Sequence, residues 1–292
     1  MVTPKVSVIV PHYNDLKHLG LCLDSLTAQD IVDPFEIIIA DNRSPIGIDA
    51  VRDFVGDRAT VVDAPIKGAG PARNAGVEAS SGKILAFIDS DCIAERDWLS
   101  HGVAALDKYD FIGGRVDVLV EPGRSMTGAE AFERVFAFDF KTYIEKKGFT
   151  GSGNLLCSRE VFDAVGGFRS GVSEDVDWSH RATAKGFRLG YAPQAGIGHP
   201  ARADWPSLRH KWHRLNRESY GIMAEKPMGS LRWLARAWLL PLSIPPHLLQ
   251  VVTSPKLNSP GDRARGVMTL VAIRLWRFMD AHRLVLSKKD QR

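Results

Sequence analysis

Residues 84–98 read ILAFIDSDCIAERDW. Five apolar residues, Ile84 to Ile88, describe a buried strand, and the run stops at two aspartates, Asp89 and Asp91, one residue apart. A carboxylate at the tip of a core strand is costly unless it is paired or bound to a cation. Oxygen ligands at this spacing suit a hard divalent cation such as Mg²⁺ or Mn²⁺, which binds through one or two carboxylates and the phosphates of a substrate. The spacing alone is common by chance. Its meaning depends on what other segments bring to the same place.

Working outward, short apolar runs mark strands at 5–10, 35–40, 59–62 and 83–88. Leu16, Leu19, Leu23 and Leu26 recur at helical spacing, and Asn14 and Asp15 before them suit an N-cap. Residues 71–80 read as a helix with Pro71 early in it, and 95–106 as another. This βαβαβ order implies a parallel sheet with right-handed crossovers, and such sheets bind ligands outside the carboxyl ends of their strands. The segments that follow the strands are PHYND, DNRSP from Asp41, and DSD. All three belong on one edge. Each alone is a polar loop; three acid-bearing loops on one edge describe a site. Neither GxGxxG nor GxxxxGK[ST] is present, so the dinucleotide fingerprint and the P-loop are both excluded.

The chain has 292 residues, enough for one large domain or a domain with an appendage. Cys22, Cys92 and Cys157 are odd in number and lack a CxxC, which points to a reducing compartment without a disulfide framework. The opening MVTPKVSVIVPHYN does not read as a signal peptide, because its apolar run is short and stops at Pro11. The net charge of +4 hides a split. Residues 205–292 hold 16 Lys and Arg against 5 Asp and Glu, whereas residues 1–204 hold 22 against 29. Five of the seven tryptophans, Trp205, Trp212, Trp233, Trp238 and Trp276, lie in the basic part. The expected division is therefore an acidic body, 1–204, and a basic, Trp-rich helical region, 205–292, suited to an anionic surface.

The motifs VSVIVPHYND, EIIIADNRSP, KGAGPARNAG, ILAFIDSD, FTGSGNLLCSREVFDAVGGF, SEDVDWSHRATAKGFRLGYAP and GIGHPAR occur in this order over about two-thirds of the chain. Together they make the sequence resemble the inverting glycosyltransferases of family 2, far more specifically than the DxD alone. The resemblance implies the α/β GT-A fold, a Rossmann-like, mostly parallel sheet flanked by helices. It also implies a nucleotide-sugar donor, a divalent metal (Mn²⁺ or Mg²⁺) and sugar transfer with inversion.

By that resemblance Pro11, Tyr13 and Asn14 hold the nucleoside, with Tyr13 packing on a base or ribose, and Asp41 contacts the base. His12 receives no role. Relatives usually read DDGS or DNGS where this chain reads DNRS, so Arg43 stands at a glycine position. Lys67, Arg73 and Asn74 belong to the donor site, Arg73 facing the nucleotide or its phosphates from a helix start. Asp89 contacts the ribose and touches the metal directly or through water; Ser90 belongs to the same donor loop; Asp91 is the direct metal ligand. Cys92 is read as a small buried filler rather than a thiolate ligand. Residues 151–154, with Gly153 and Asn154, line the donor-sugar pocket. Asp175 is the base, with Glu174 and Asp177 orienting the acceptor or the loop. Asp175, Ser179 and Ala182 share a helix face, and Trp178, on the side of Glu174 and Asp175, is a candidate acceptor contact. Glu174 and Asp175 also suit a helix N-terminus for electrostatic reasons alone. His199 is open between a further metal ligand and a structural histidine.

In the basic region, residues 231–252 are long enough to span a bilayer, but Arg232 and Arg236 interrupt the start and Pro241, Pro245 and Pro246 break the rest. Helices with Trp-bearing faces edged by Arg fit interfacial binding. The expectation is a peripheral or monotopic enzyme on the cytoplasmic face of the inner membrane. It would move a sugar, from UDP first among nucleotides, to a hydroxyl of a lipid-linked saccharide in cell-surface or exopolysaccharide synthesis. No nucleic-acid motif accompanies the charge. Two competitors remain: a nucleotidyltransferase of related fold, which PHYND disfavours for want of a Gly-rich basic loop, and a non-catalytic donor-binding or scaffold subunit.

Overall fold

The computed structural model describes residues 3–289. They divide into two compact units. The first runs to Asp117 and resumes at Phe138–His199; the second comprises Val118–Ala137 and the chain from Pro200 onward.

The first unit begins with β1 (Val6–His12), α1 (Leu16–Thr27), β2 (Phe35–Asp41), α2 (Ile48–Val55), β3 (Thr60–Asp63), α3 (Ala69–Glu78) and β4 (Ile84–Ile88). After β5 (Ile93–Ala94), α4 (Trp98–Ala105) and β6 (Phe111–Leu119), the chain enters the second unit with α5 (Gly128–Phe136). It returns with α6 (Phe140–Lys147), β7 (Asn154–Ser158), α7 (Arg159–Val165), α8 (Glu174–Ala184) and β8 (Leu189–Pro200). The strands form one mixed sheet in the order β3-β2-β1-β4-β7-β6-β8-β5. β3, β2, β1 and β4 are parallel, and β7 runs antiparallel to β4.

Strand alternation builds two cores, as a sheet covered on both faces requires. Val6, Val8 and Val10 point to the α1 side, where Leu19, Cys22, Leu23 and Leu26 are buried with them. Ile9, Leu85 and Phe87 point to the other face and pack with Phe162, Phe168 and Trp178. Asp15 caps α1 by accepting from the His18 N–H at 3.1 Å, and Ser158 caps α7 by accepting from the Val161 N–H at 3.2 Å. The helix expected over 95–106 starts later, because Ile93 and Ala94 pair with Gly198 and Ile197 of β8 as a short strand.

Register decides which loops meet. His12 pairs with Asp41 across β1 and β2, so the loops after these strands lie side by side. Ile88 pairs with Asn154 across β4 and β7, so the turn before β7 lies beside Asp89.

The second unit is helical: α5 with α9 (Trp205–Ala224), α10 (Gly229–Leu242), α11 (Ile244–Val252) and α12 (Pro260–Lys289). Phe132 and Ala131 of α5 pack with Leu208, Val251, Leu270 and Ile273. The sequence division at 204/205 leaves this stretch, 118–137, with the body, whereas contacts group it with the C-terminal helices. Glu133 of α5, 1% exposed, accepts from Lys211 Nζ at 2.8 Å and Arg202 Nη1 at 2.9 Å. The 231–252 run is split into α10 and α11, with Pro245 and Pro246 in the first turn of α11. Among the described residues no helix is long and apolar enough to cross a membrane.

Removing Glu133 breaks a buried ion pair with Arg202 and Lys211. Glu133→Ala is expected to cost about 3–5 kcal/mol, read by urea denaturation followed through tryptophan fluorescence, since five of seven tryptophans lie in this region.

Candidate active site

The carboxyl ends of β1 and β2 are joined by a buried polar network. Asp41 is 1% exposed. Its Oδ1 accepts from Ser44 Oγ at 2.5 Å and from His12 Nδ1 at 2.9 Å, and its Oδ2 accepts from the Ser44 N–H at 3.0 Å. The Asp15 N–H donates to His12 Nε2 at 3.1 Å. One neutral tautomer of His12, protonated on Nδ1, satisfies both bonds. Ser44 Oγ also accepts from the Asn14 N–H at 2.8 Å. Asn42 ties the next loop by donating to Ala64 and Ile66 carbonyls, each at 2.7 Å, and accepting from the Gly68 N–H at 2.8 Å.

This corrects the sequence reading in two ways. Asp41 does not present a free carboxylate to a base; it is the buried hub that fixes the loops. His12, given no role from sequence, is its partner, and only the strand register places the two together. Asn14 and Arg43 sit at φ 50° and 60°. A left-handed backbone costs a non-glycine residue about 1 kcal/mol, so the turn survives the replacement of the usual glycine by Arg43. Tyr13 is 59% exposed and available for stacking, and Lys67 is exposed in the loop before α3. Pro11 is half-buried near the end of β1.

The DxD lies where β4 ends. Arg73 of α3, 3% exposed, donates from Nη2 to Asp89 Oδ1 at 2.5 Å and from Nη1 to Glu174 Oε1 at 3.3 Å. It thus joins acidic clusters more than eighty residues apart in sequence. Gly153 clears space beside the same carboxylate: a Cβ there would come within 2.5 Å of Asp89 Oδ2. Ser90 is half-buried next to it. His199 Nε2 stands 3.4 Å from Asp91 Oδ2, its ring 4.5 Å from that of Phe138. One ligand atom each from Asp91, Cys92 and His199 lie within 4.8 Å of one another. Burial first, and then the nearby Asp89, raise the Asp91 carboxyl, against the pull of His199. Burial, and then Asp89 and Asp91, push the Cys92 thiol well above its ordinary value, so it remains protonated. The donors that fit a divalent cation are the Asp91 carboxylate and the His199 imidazole, an oxygen and nitrogen pair suited to Mn²⁺. Asp89 is not part of this cluster; its Oδ1 accepts from Arg73.

At the start of α8, Asp175 Oδ1 accepts from Ser173 Oγ at 3.0 Å and from the Val176 N–H at 2.8 Å. Its Oδ2 has no hydrogen-bond partner among the described residues. Burial, and then the neighbouring Glu174, raise its carboxyl above the ordinary value.

Three further expectations are corrected, those for Trp178, Asn74 and Asn154, and that for Asp177 is narrowed. Trp178 is fully buried and its indole N–H donates to the Gly166 carbonyl at 3.0 Å, so it touches the core and no acceptor. Asp177 is occupied by Arg181 at 2.8 Å and Arg169 at 3.6 Å; Arg181 in turn holds the carbonyls of Val165 and Gly167. Of the two roles expected for Asp177, orienting the acceptor or the loop, these bonds favour the loop before α8. Asn74 exchanges two bonds with the Phe168 backbone, at 2.8 and 2.9 Å. Asn154 is fully buried, accepting from Trp98 Nε1 and donating to the Arg115 and Ala195 carbonyls. Asn74 thus clamps the loop before α8, and Asn154 ties the start of β7 to α4, β6 and β8.

Similarity to known proteins agrees with this geometry. The family model described as glycosyl transferase family 2 matches residues 7–173. Glycosyltransferase AglE of Haloferax volcanii is 32% identical over 258 residues, 84% of this chain and 84% of that one. A glucosyl-dolichyl phosphate glucuronosyltransferase from the same organism is 27% identical over 248 residues, 75% of this chain and 78% of that one. Among solved structures, the mannosyltransferase PcManGT from Pyrobaculum calidifontis, in complex with GDP-Man and Mn²⁺, matches 97% of this chain and 87% of that one. Its TM-score is 0.57 at 18% identity.

His12→Ala removes a partner from a buried carboxylate. A loss of about 2 kcal/mol is expected in urea denaturation, with the far-UV spectrum retained.

Proposed function

The chain belongs to glycosyl transferase family 2, and we propose that it transfers one sugar from a nucleoside-diphosphate sugar to a saccharide hydroxyl with inversion at the anomeric carbon. It is a glycosyltransferase with the GT-A fold. The observation that carries the mechanism is Asp175: one oxygen anchored, the other without a partner, the carboxyl raised by burial.

In this reading the donor base stacks on Tyr13, with Pro11 and the Asn14 backbone beneath it. Lys67 attracts the diphosphate from its exposed loop. Asp91 and His199 hold a divalent cation, which when bound supplies charge neutralisation of the leaving diphosphate. Asp89 takes the ribose side, held in place by Arg73 and given clearance by Gly153. Asp175 Oδ2 accepts the proton of the acceptor hydroxyl as its oxygen bonds to the anomeric carbon, and the carbon–oxygen bond to the diphosphate breaks with its electron pair. Glu174, paired with Arg73, keeps the local charge negative enough to raise the basicity of Asp175.

We place the enzyme on an anionic membrane surface through its helical unit, acting on a lipid-linked saccharide of a cell-surface or exopolysaccharide. Exposed apolar residues support this. Leu231, Trp238 and Leu242 recur along α10, and Met268, Leu275, Met279 and Leu286 recur along α12 at spacings of seven and four. UDP is the first nucleotide to test, followed by GDP, dTDP and CDP.

Calorimetry with these nucleotides is expected to give Mn²⁺-dependent binding of one of them, abolished by EDTA and by Asp91→Ala. A folded protein that binds none of them would sink the donor site. With the donor found, Asp175→Asn is expected to lower kcat by about 10²–10⁴-fold while donor binding persists. A raised carboxyl must lose its proton before it acts as a base, so the rate rises with pH through a value above the ordinary ~3.9. Glu174→Gln removes one cause of the shift, and the acid limb of kcat/KM should then move to lower pH. An unmoved limb would assign the base elsewhere.

A further inference from the structure

Within the helical unit, residues of α9, α10 and α12 line a cavity of about 350 Å³. Sites for small molecules run from roughly 300 to 1,000 Å³. The lining is of two kinds. Arg236, Arg274 and Arg277 bring positive charge; Trp233, Leu239 and Leu240 bring apolar surface. Among the described residues no Asp or Glu lines it.

Among the described residues no carboxylate is hydrogen-bonded to Arg274 or Arg277. Arg274 Nε is buried and has no hydrogen-bond partner. Arg277 makes only long contacts, from Nε and Nη2 to Asn216 Oδ1 at 3.4 Å each, and lies over the Trp212 ring at 3.7 Å. Asp280 stands one turn further along α12, but its carboxylate accepts from His213 Nδ1 and Asn216 Nδ2, each at 2.9 Å. Burial, and then Arg274 and Arg236, lower Arg277 to about 9, against the upward pull of the nearby Asp280. Arg274 and Arg277 are half-buried, and arginines withdrawn from water are ordinarily paired. Here the open volume is where the missing anion fits.

Guanidinium forks match the oxygens of a phosphate better than any other common anion group save a carboxylate. A free phosphate would leave the rest of the cavity unused. Leu239 is 61% exposed and continues into exposed Trp238 and Leu242 on the same helix, an apolar path leading from the charged lining. We propose that this cavity binds a lipid phosphate, the phosphate ester seated on Arg236, Arg274 and Arg277 and the chain lying along Leu239 and Leu240. The inference deepens the reading above, on which it rests for its role: such a lipid is the carrier of the acceptor saccharide.

The test is equilibrium binding to the full chain, with no donor and no turnover. Dodecyl phosphate, kept below micelle formation, is titrated by calorimetry beside inorganic phosphate and dodecanol. Saturable binding of dodecyl phosphate is expected, at least about tenfold tighter than inorganic phosphate, with none for dodecanol. Arg236→Gln and Arg274→Gln should each weaken it by about tenfold. Arg236 is exposed, so its variant keeps the fold and decides the matter if Arg274→Gln does not. Equal affinity for inorganic phosphate would reduce the cavity to a free-anion site and overturn the lipid reading. So would the absence of binding, or binding that Arg236→Gln leaves unchanged. Failure here with nucleotide binding intact leaves sugar transfer standing; loss of nucleotide binding with dodecyl phosphate bound does the reverse.

Discussion

Arg73 makes the acidic edge of the sheet possible. Asp89, Asp91, Glu174 and Asp175 would repel one another and resist burial if nothing offset their charge. A guanidinium that is itself 3% exposed offers two donors, Nη2 to Asp89 and Nη1 to Glu174. It also lies 5.8 Å from the Phe168 ring, on the loop that leads to α8. A lysine would supply the charge but not the two directions. Through this residue the end of β4 and the start of α8 become one site, and Asp175 is left beside it without a cation of its own.

The remaining geometry follows from short polar staples between loops that parallel strands set side by side. His12, Asp41 and Ser44 lock the ends of β1 and β2; Asn42 locks the loop before α3; Asn74 clamps the loop before α8, and Asn154 ties β7 to α4, β6 and β8. None of these groups needs to touch a substrate to matter. A site that binds a flexible diphosphate must hold its ligands in place beforehand, and buried, fully satisfied amides and carboxylates do so at low entropic cost.

Among the described residues of the helical unit, most acids are engaged. Glu133 meets Lys211 and Arg202, Asp262 meets Arg265 and Ser259, and Asp280 meets His213 and Asn216. The excess of basic residues is therefore not neutralised internally. It is presented partly to solvent and partly to the cavity lined by Arg236, Arg274 and Arg277. Charge excess and exposed apolar stripes on the same helices are the combination that favours an amphiphilic, anionic partner.

The sequence by itself determined the strands that build the parallel half of the sheet, the cap at Asp15, the placement of three polar clusters on one edge and the family. Those features are local: apolar periodicity, cap chemistry and contiguous motifs are read within a few residues. It also marked Asp91, Asp175 and Arg73, because their motifs are contiguous. Tertiary structure decided what those residues are joined to. It turned Trp178 into the core and spent Asp177, Asn74 and Asn154 on neighbouring segments. It made His12 the partner of Asp41, and grouped 118–137 with the C-terminal helices. The reason is physical. A polar side chain's role is set by which donor or acceptor lies within about 3 Å of it, and strand register and helix packing place those partners from segments tens of residues away.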